Sequence, residues 1–176
     1  GTMAGDLTAV HARVLTQVRQ MAALAADDSV LARRDDAVSH WSVGQQVEHL
    51  AITDQQILLA LGKLSGEPDR DAERRAHPLG RLFLALNWIP RGVGKAPDFT
   101  RPQGVDAQRL RAQLSEVELA LVDFGQRLPD LGAVRGRIRH PRFGWLDLGQ
   151  WLRFLEVHHH HHLKIVGDIR RSAAVS

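Results

Sequence analysis

The sequence predicts an all-α protein folded as a four-helix bundle, with a short extra helix and a long crossover loop rich in proline and glycine. Four stretches place apolar residues alternately three and four positions apart, which is the spacing of one face of an α-helix. No stretch shows the sustained alternation of apolar and polar residues that predicts a long strand. Long amphipathic helices bury their apolar faces against one another, and a bundle does this most simply.

The composition is typical of one globular domain. The chain has 176 residues, of which 44% are hydrophobic and 24% charged, so it is long enough to bury a full core. We therefore expect one domain over residues 1–176, with Gly1 and Thr2 as a remnant of cloning before Met3. No apolar run approaches the roughly 20 residues of a membrane span, and no signal peptide is recognisable, so a cytoplasmic location is expected.

Cysteine and charge usage restrict the chemistry. The chain contains no cysteine, which excludes disulfides and leaves nitrogen and oxygen atoms as metal ligands. Basic residues are mostly interleaved with acidic ones, and the net charge is only +3. One dense basic cluster, residues 135–142, comes with no aromatic platform or recognition helix, so a solvated surface is favoured over a nucleic-acid footprint.

Capping residues and helix breakers predict the element boundaries. Asp6 and Ser42 are predicted N-caps of the first and second helices, Gly66 stops the second, and Pro129 ends the third. The first half is predicted to contain a helix from Asp6, a polar loop at 27–40 and a second helix over 43–65. A short buried helix at 79–89, stopped by Pro90, and an irregular loop at 91–104 follow. The chain then continues with a third helix over 106–128, a loop or short hairpin, and a last helix over about 146–172. Loops as long as the one at 91–104 often form lids or binding loops.

Five consecutive histidines, His158–His162, lie in the predicted last helix. They look like a purification tag, but residues 163–176 follow them and the helical pattern continues through the run. The positions of that pattern are Leu148, Leu152, Leu155, His159, His162, Val166 and Ile169. A tag has no reason to keep this register, so we interpret the run as part of a native core helix.

The position of each histidine around the helix indicates which of the five could bind one metal ion together. His158 and His162 are the one pair four residues apart, which is the usual spacing of a two-histidine clamp on a helix. His159 and His162 lie nearer the centre of the apolar face, however, so spacing leaves His158 and His159 as competing partners of His162. We favour the pair His158 and His162, with His159 as a core or supporting group. His160 and His161 are expected to point towards solvent or a neighbouring helix.

Spacing alone does not decide which residue is the third ligand or what role a predicted buried carboxylate has. His49 is the best-placed histidine outside the run, yet it lies on the polar side of its helix with Gln46 and Thr53. That side could face solvent or line a polar cavity, and spacing slightly favours a surface position. Asp54 occupies a core position of the same helix, where it could be a metal ligand, orient an imidazole or form a salt bridge with an arginine.

Three segments resemble the DinB/YfiT-like superfamily of proposed metalloenzymes. WSVGQQVEHLA at 41–51 is similar to that group's second-helix motif. The closing segment at 140–166 is similar to that of one branch, which combines a His-Pro-x-x-Gly turn with H-x-x-H-H-L. The loop at 90–104 also resembles that branch.

This resemblance implies a fold, a metal site and a class of function. The implied fold is an up-down-down-up bundle, and the implied ligands are His49, His158 and His162. Three imidazoles with water suit zinc or nickel, with manganese or iron as alternatives. The implied activities are those of a metal-dependent hydrolase or a thiol-dependent transferase, with a small-molecule substrate and a low-molecular-weight thiol as candidate partners. Members of the superfamily often form homodimers, so we expect one here.

Two alternative functions belong to other classes. The first is a non-catalytic bundle that binds a metal for stability, which predicts a closed site with a fourth protein ligand such as Asp54. The second is nucleic-acid binding through the basic cluster at 135–142. No feature of the sequence suggests a membrane partner.

Overall fold

The structure, a computed structural model, describes residues 3–92 and 96–175, and the side chains of residues 6–92 and 96–172. In chain order the elements are α1 Met3–Ala25, α2 Asp28–Leu31, α3 Val43–Ser65, α4 Pro78–Leu86, a 3-10 turn Asp98–Thr100, α5 Ala107–Gln126, α6 Leu128–Leu131, β1 Arg137–His140, β2 Gly144–Asp147 and α7 Leu148–Val175. Helices dominate these elements, and the one sheet is a two-stranded antiparallel hairpin. The predicted all-α class is confirmed.

The four long helices, α1, α3, α5 and α7, pack as an up-down-down-up bundle. Hydrogen bonds between neighbouring helices give their relative directions. The pairs are His11–Leu121 and Ala25–Arg111 between α1 and α5, Arg13–Glu156 and Gln17–His159 between α1 and α7, and Gln46–His162 and Asp54–His159 between α3 and α7. Helix α7 is therefore parallel to α1, whereas α5 is antiparallel to α1 and α3 is antiparallel to α7. This is the topology that the resemblance implied.

The apolar stripes that the sequence predicts form the core. In α3, Val43, Val47 and Leu50 have no exposed surface. The stripe of α5 is likewise buried at Leu110, Leu114, Val117, Leu121 and Phe124. Complete burial of each such side chain contributes roughly 1.5–3 kcal/mol. Two polar residues, Asp54 and His159, occupy stripe positions and are also fully buried.

The start of α3 is fixed by a capping box, which sets the height of the residues one turn further on. The Ser42 side chain accepts the N–H of Gln45, and the Gln45 side chain accepts the N–H of Ser42. Gly66 follows the last turn as the C-cap. Both predicted ends of this helix are confirmed, and the caps place Gln46 and His49 within its first two turns.

Two helix boundaries differ from the prediction. Helix α1 begins at Met3, so Asp6 lies inside its first turn and is not the N-cap; Met3 and Ala4 favour helix and extend it past Gly5. Helix α5 ends at Gln126, before Pro129. The proline instead lies in the first turn of α6, where its missing N–H leaves no hydrogen bond unmade.

The short helix α4 also differs from the prediction. It ends at Leu86 because Asn87 adopts a left-handed conformation with φ 51°, so Pro90 is not the stop. Only one face of α4 is covered, since Leu79, Leu82 and Leu86 are each at least half exposed. The predicted burial on all sides is therefore wrong.

Two connecting segments contain more structure than spacing indicated. The polar segment at 27–40 includes the single turn α2, which Asp27 caps. Of the two alternatives for the segment before the last helix, the hairpin is present, and β2 leads directly into α7 at Leu148. None of the helices described here is long and apolar enough to cross a bilayer.

Candidate metal centre

Three histidines from two helices converge at one place in the bundle. His49 projects from α3, and His158 and His162 project from adjacent turns of α7. One ligand nitrogen from each lies within 4.8 Å of the others, and the Nε2 atoms of His49 and His158 are 3.1 Å apart. Two imidazole nitrogens bound to one tetrahedral ion lie roughly 3.3 Å apart, given bonds of about 2.0–2.1 Å. The structure therefore brings together the three residues that the sequence predicted as ligands.

His49 is buried, in contrast to the boundary position that spacing slightly favoured. It is 3% exposed, because the polar side of α3 faces α7 and the crossover loop. Its Nδ1–H donates to the Thr100 carbonyl at 2.7 Å, which leaves the lone pair on Nε2. The Trp41 ring packs against it with centroids 5.1 Å apart. The loop carbonyl thus fixes the tautomer that can bind a metal, and Trp41 restricts rotation of the ring.

His162 is held by a second acceptor. Its Nδ1–H donates to the Gln46 side-chain oxygen at 2.6 Å, and the Gln46 amide donates in turn to the Ser39 hydroxyl at 2.9 Å. Gln46 is 1% exposed, so no water competes for this bond. Trp41 stacks on the imidazole at an interplanar angle of 19°. The Nε2 lone pair of His162 is therefore also available.

His158 is positioned by packing. Its ring stacks on Phe154, with centroids 5.2 Å apart and planes 15° apart. Its Nδ1 is buried and has no hydrogen-bond partner in the part of the chain that the structure describes. Its Nε2 faces His49, so Nε2 is the atom that it presents to the cluster.

Electrostatics keep the three rings neutral. Burial lowers the pKa of His49 below its usual value, and the neighbouring Thr100 carbonyl and Asp54 only partly oppose this. Burial, followed by the proximity of the other imidazoles, lowers the pKa of His158 and His162 well below the usual value. A metal ion would thus meet three unprotonated nitrogens at neutral pH, with no proton to displace.

His159 lies outside the cluster and forms a buried ion pair with Asp54. Its Nε2 is 2.7 Å from both carboxylate oxygens, and both residues are fully buried. Its Nδ1 is 3.0 Å from the Gln17 side-chain oxygen, while the Gln17 amide donates to the Glu156 carbonyl. Both ring nitrogens of His159 therefore face oxygen atoms, and neither is directed towards the metal cluster.

The partner of Asp54 differs from each sequence-based alternative. It is a histidine rather than an arginine, and Asp54 is not in the group that could hold an ion; Asp54 does bond an imidazole, but that of His159, which is not one of the three candidate ligands. The sequence predicted His159 as a core or supporting group, and it is a core residue. Its stripe position indicated burial, but its partners lie on two other helices and leave no local signal.

The remaining histidines of the run take different surroundings. His161 points to the segment after α4, where the Ile89 carbonyl accepts its ring N–H. Nearby, Arg91 pairs with Asp168 of α7 at 2.6 Å. His160 lies on a surface groove between α1 and α7. His160 thus lies at the surface, as predicted, whereas the His161 ring also packs edge-on against the ligand His162, with centroids 4.9 Å apart.

Sequence reasoning missed two residues that support the site. Gln46 carries the acceptor for His162, and its place one turn before His49 on the polar side was the available signal. Glu48 is 2% exposed and accepts three backbone N–H groups from residues 103–105. An acidic residue beside a predicted ligand does not by itself reveal a loop anchor. Part of that predicted loop, residues 93–95, lies outside the described residues.

Comparison with known proteins identifies a family for the chain. No curated protein and no solved structure matches the chain significantly. The model of one protein family, described as the DinB superfamily, matches residues 7–166, which include α3, α5, most of α1 and α7, and all three histidines of the cluster. The chain therefore belongs to the DinB superfamily.

Proposed function

We propose that this protein is a metal-dependent enzyme that holds one divalent ion through His49, His158 and His162. Zinc or nickel is the expected ion, with manganese or iron as alternatives. The observation that carries the proposal is the pair of acceptors at Nδ1, the Thr100 carbonyl and Gln46, which direct two Nε2 lone pairs to one point. Buried histidines that serve only as core residues need no such convergence.

The donor set fits a late first-row ion with open coordination positions. It consists of three neutral imidazoles, and Asp54, the nearest candidate for a fourth ligand, is bound to His159. Three protein ligands leave room for water or substrate, as in catalytic sites. When bound, such an ion supplies a Lewis acid that lowers the pKa of a coordinated water or thiol.

The residues of this chain supply orientation and exclude water. Trp41 covers His49 and His162, and Phe154 covers His158, so two aromatic rings line the cluster. These rings limit rotation of the imidazoles and reduce the local dielectric constant, which strengthens electrostatic interactions at the site. The reaction that we propose is hydrolysis or transfer of a thiol group to a small molecule, with a low-molecular-weight thiol as a candidate substrate and a homodimer as the expected assembly.

The two alternative functions have weaker support. A closed structural site needs a fourth ligand, and within the described chain the histidine group is limited to three members. Nucleic-acid binding needs free cations in the cluster at 135–142. Arg137 of that cluster is instead only 16% exposed and donates to the Trp145 carbonyl and to Gln150.

Calorimetric titration with zinc and nickel tests the proposal, on protein purified without nickel-affinity chromatography. We expect one ion per chain for the wild type and for His160→Ala, a matched change in the same run. His49→Ala should abolish this binding. Equal binding by His49→Ala would place the ion on the exposed face of the run and would contradict the proposal.

Activity assays then separate the two reaction classes. The loaded wild type would be compared with His49→Ala for hydrolysis of model esters and amides, and for consumption of low-molecular-weight thiols in the presence of electrophiles. Metal-dependent turnover in one assay, lost in His49→Ala, assigns the class. Stoichiometric binding with no turnover and no exchangeable water on the ion would favour the non-catalytic alternative.

A further inference from the structure

We infer that Glu48 is a positioning residue for the metal centre, because it anchors the segment whose carbonyl orients the ligand His49. This inference rests on the proposed function, since it concerns how the same three histidines hold their ion. Glu48 is not one of the candidate ligands. Its carboxylate accepts hydrogen bonds from the backbone of residues 103–105.

The carboxylate of Glu48 is buried and accepts three hydrogen bonds from consecutive backbone groups. One oxygen accepts the N–H of Gln103 at 2.5 Å, and the other accepts those of Gly104 at 3.0 Å and Val105 at 3.2 Å. Glu48 is only 2% exposed. A buried carboxylate with this many charge-assisted bonds is held firmly, and so is the backbone that donates to it.

The conformation of Gly104 makes this convergence possible. Its φ of +75° lies in the left-handed region, and a residue in that region turns successive N–H groups towards one acceptor. A Cβ added there would meet nothing within 4 Å. Glycine is thus required at this position for its backbone conformation and not for space.

The anchored segment is also the one that orients His49. Thr100, three residues before Gln103, is 5% exposed and its carbonyl accepts the His49 Nδ1–H at 2.7 Å. Glu48 and His49 are consecutive in α3, so one turn of this helix binds the segment both at Thr100 and at residues 103–105. Gln56, two turns further on, adds a bond to the Phe99 carbonyl at 3.0 Å. Release at residues 103–105 would let the Thr100 carbonyl move away from the ring.

The test is the metal affinity of Glu48→Gln, measured with zinc alone by competition with a chromophoric chelator. Gln keeps the size of the side chain but replaces one acceptor oxygen by a donor, which faces a backbone N–H. We expect the affinity to fall by roughly 10–100-fold, the usual effect of losing support for a ligand. With cobalt(II) in place of zinc, the visible absorption bands should also shift, because the orientation of His49 changes.

Glu156→Gln is the matched control. Glu156 is a buried carboxylate of similar exposure, 5%, but it pairs with Arg13 and Arg153 on the side of α7 that faces α1. It should lower stability and leave both the zinc affinity and the cobalt spectrum as in the wild type. An equal loss of affinity in the two variants, or an unchanged affinity in Glu48→Gln, would overturn the inference.

A second variant covers the case in which Glu48→Gln does not fold. Gly104→Ala strains the donor side of the same contact, and we expect a smaller loss of zinc affinity with the same direction of shift in the cobalt bands. A wild-type affinity and spectrum in Gly104→Ala would then overturn the inference. If the wild type itself binds no ion, the proposed function fails, and that result is distinct from failure of Glu48 alone.

Discussion

Two adjacent histidines of α7, His158 and His159, show how neighbours divide one residue type into two chemical roles. His158 stacks on an aromatic ring and turns Nε2 towards two other imidazoles. His159 has an acceptor at each ring nitrogen, one of them the carboxylate of Asp54. The first arrangement leaves a lone pair free to bind an ion, whereas in the second both ring nitrogens are engaged by oxygen atoms.

The difference lies in what the second nitrogen of each ring meets. In the metal cluster, His49 and His162 each donate from Nδ1 to a neutral oxygen, and Nε2 is left without a proton. At His159, a negative carboxylate takes the place that a metal would occupy. The Nε2 atom of His159 is therefore engaged by Asp54, while the Nε2 atoms of the cluster next to it are available to an ion.

The largest expected effect comes from breaking the ion pair. Asp54→Ala removes one partner of a fully buried pair and leaves His159 without its carboxylate, which should lower the free energy of unfolding by about 3–5 kcal/mol. Urea unfolding in the presence of a chelator measures this. Asp54→Asn keeps an acceptor of the same shape and should cost less. A loss below about 1 kcal/mol for Asp54→Ala would show that the Asp54–His159 contact contributes little to stability.

The next effect is the loss of metal-linked stabilisation. Zinc at 1,000 times its dissociation constant should raise the unfolding free energy of the wild type by about 4 kcal/mol. His162→Ala should lose this increment, because it removes a ligand, whereas His160→Ala should retain it. Thermal melts with and without zinc provide the measurement, and an equal zinc response in both variants would remove His162 from the site.

A half-buried histidine at the end of β1, His140, extends the comparison to pH. His140 accepts the backbone N–H groups of Arg142 and Phe143 at Nδ1, and burial lowers its pKa from 6.5 to about 4. The unfolded chain therefore takes up this proton first, so stability is lost as the pH falls from 6.5 to about 4. This lowering is worth up to about 3 kcal/mol.

The variant His140→Asn isolates that contribution. An asparagine oxygen can accept the same turn N–H groups but does not titrate in this range. Urea unfolding at several pH values should show a shallower loss of stability in His140→Asn than in the wild type across this window. Identical slopes would show that the other histidines account for the whole pH dependence.

The smallest expected effect concerns the acceptor for His162. Gln46→Leu removes it while keeping the side chain buried, and the zinc affinity should fall about 10-fold, or about 1.4 kcal/mol. Gln46→Glu retains an oxygen at that place and should bind zinc at least as tightly as the wild type. Chelator competition separates the two, and equal affinities in both variants would assign the contact to packing alone.

The fold could be predicted from the sequence largely because burial in a helix is periodic. Val43, Val47 and Leu50 repeat at helical spacing, and Ser42 and Gly66 mark the ends of their helix, so the relevant signals are local. The start of α1 and the end of α4 were wrong, because a boundary depends on small differences in backbone preference.

The candidate site could be predicted only in part. Spacing left His158 and His159 open, since both lie close to the apolar stripe of α7, and the assignment of His49 came from the resemblance. The pairing of His159 with Asp54 and the anchor at Glu48 depend on residues more than fifty positions apart. Such contacts depend on how the helices pack against one another, and local sequence patterns do not predict that packing.

The most direct test of the central claim is a zinc-loaded crystal structure with anomalous data collected at the metal absorption edge. We predict one strong anomalous peak per chain, bonded to the Nε2 atoms of His49, His158 and His162 at about 2.0–2.1 Å, with at least one position taken by water. Asp54 should remain paired with His159 in that structure. A peak bound to His159 and Asp54, or to His160 and His161 on the outer face of α7, would contradict the account.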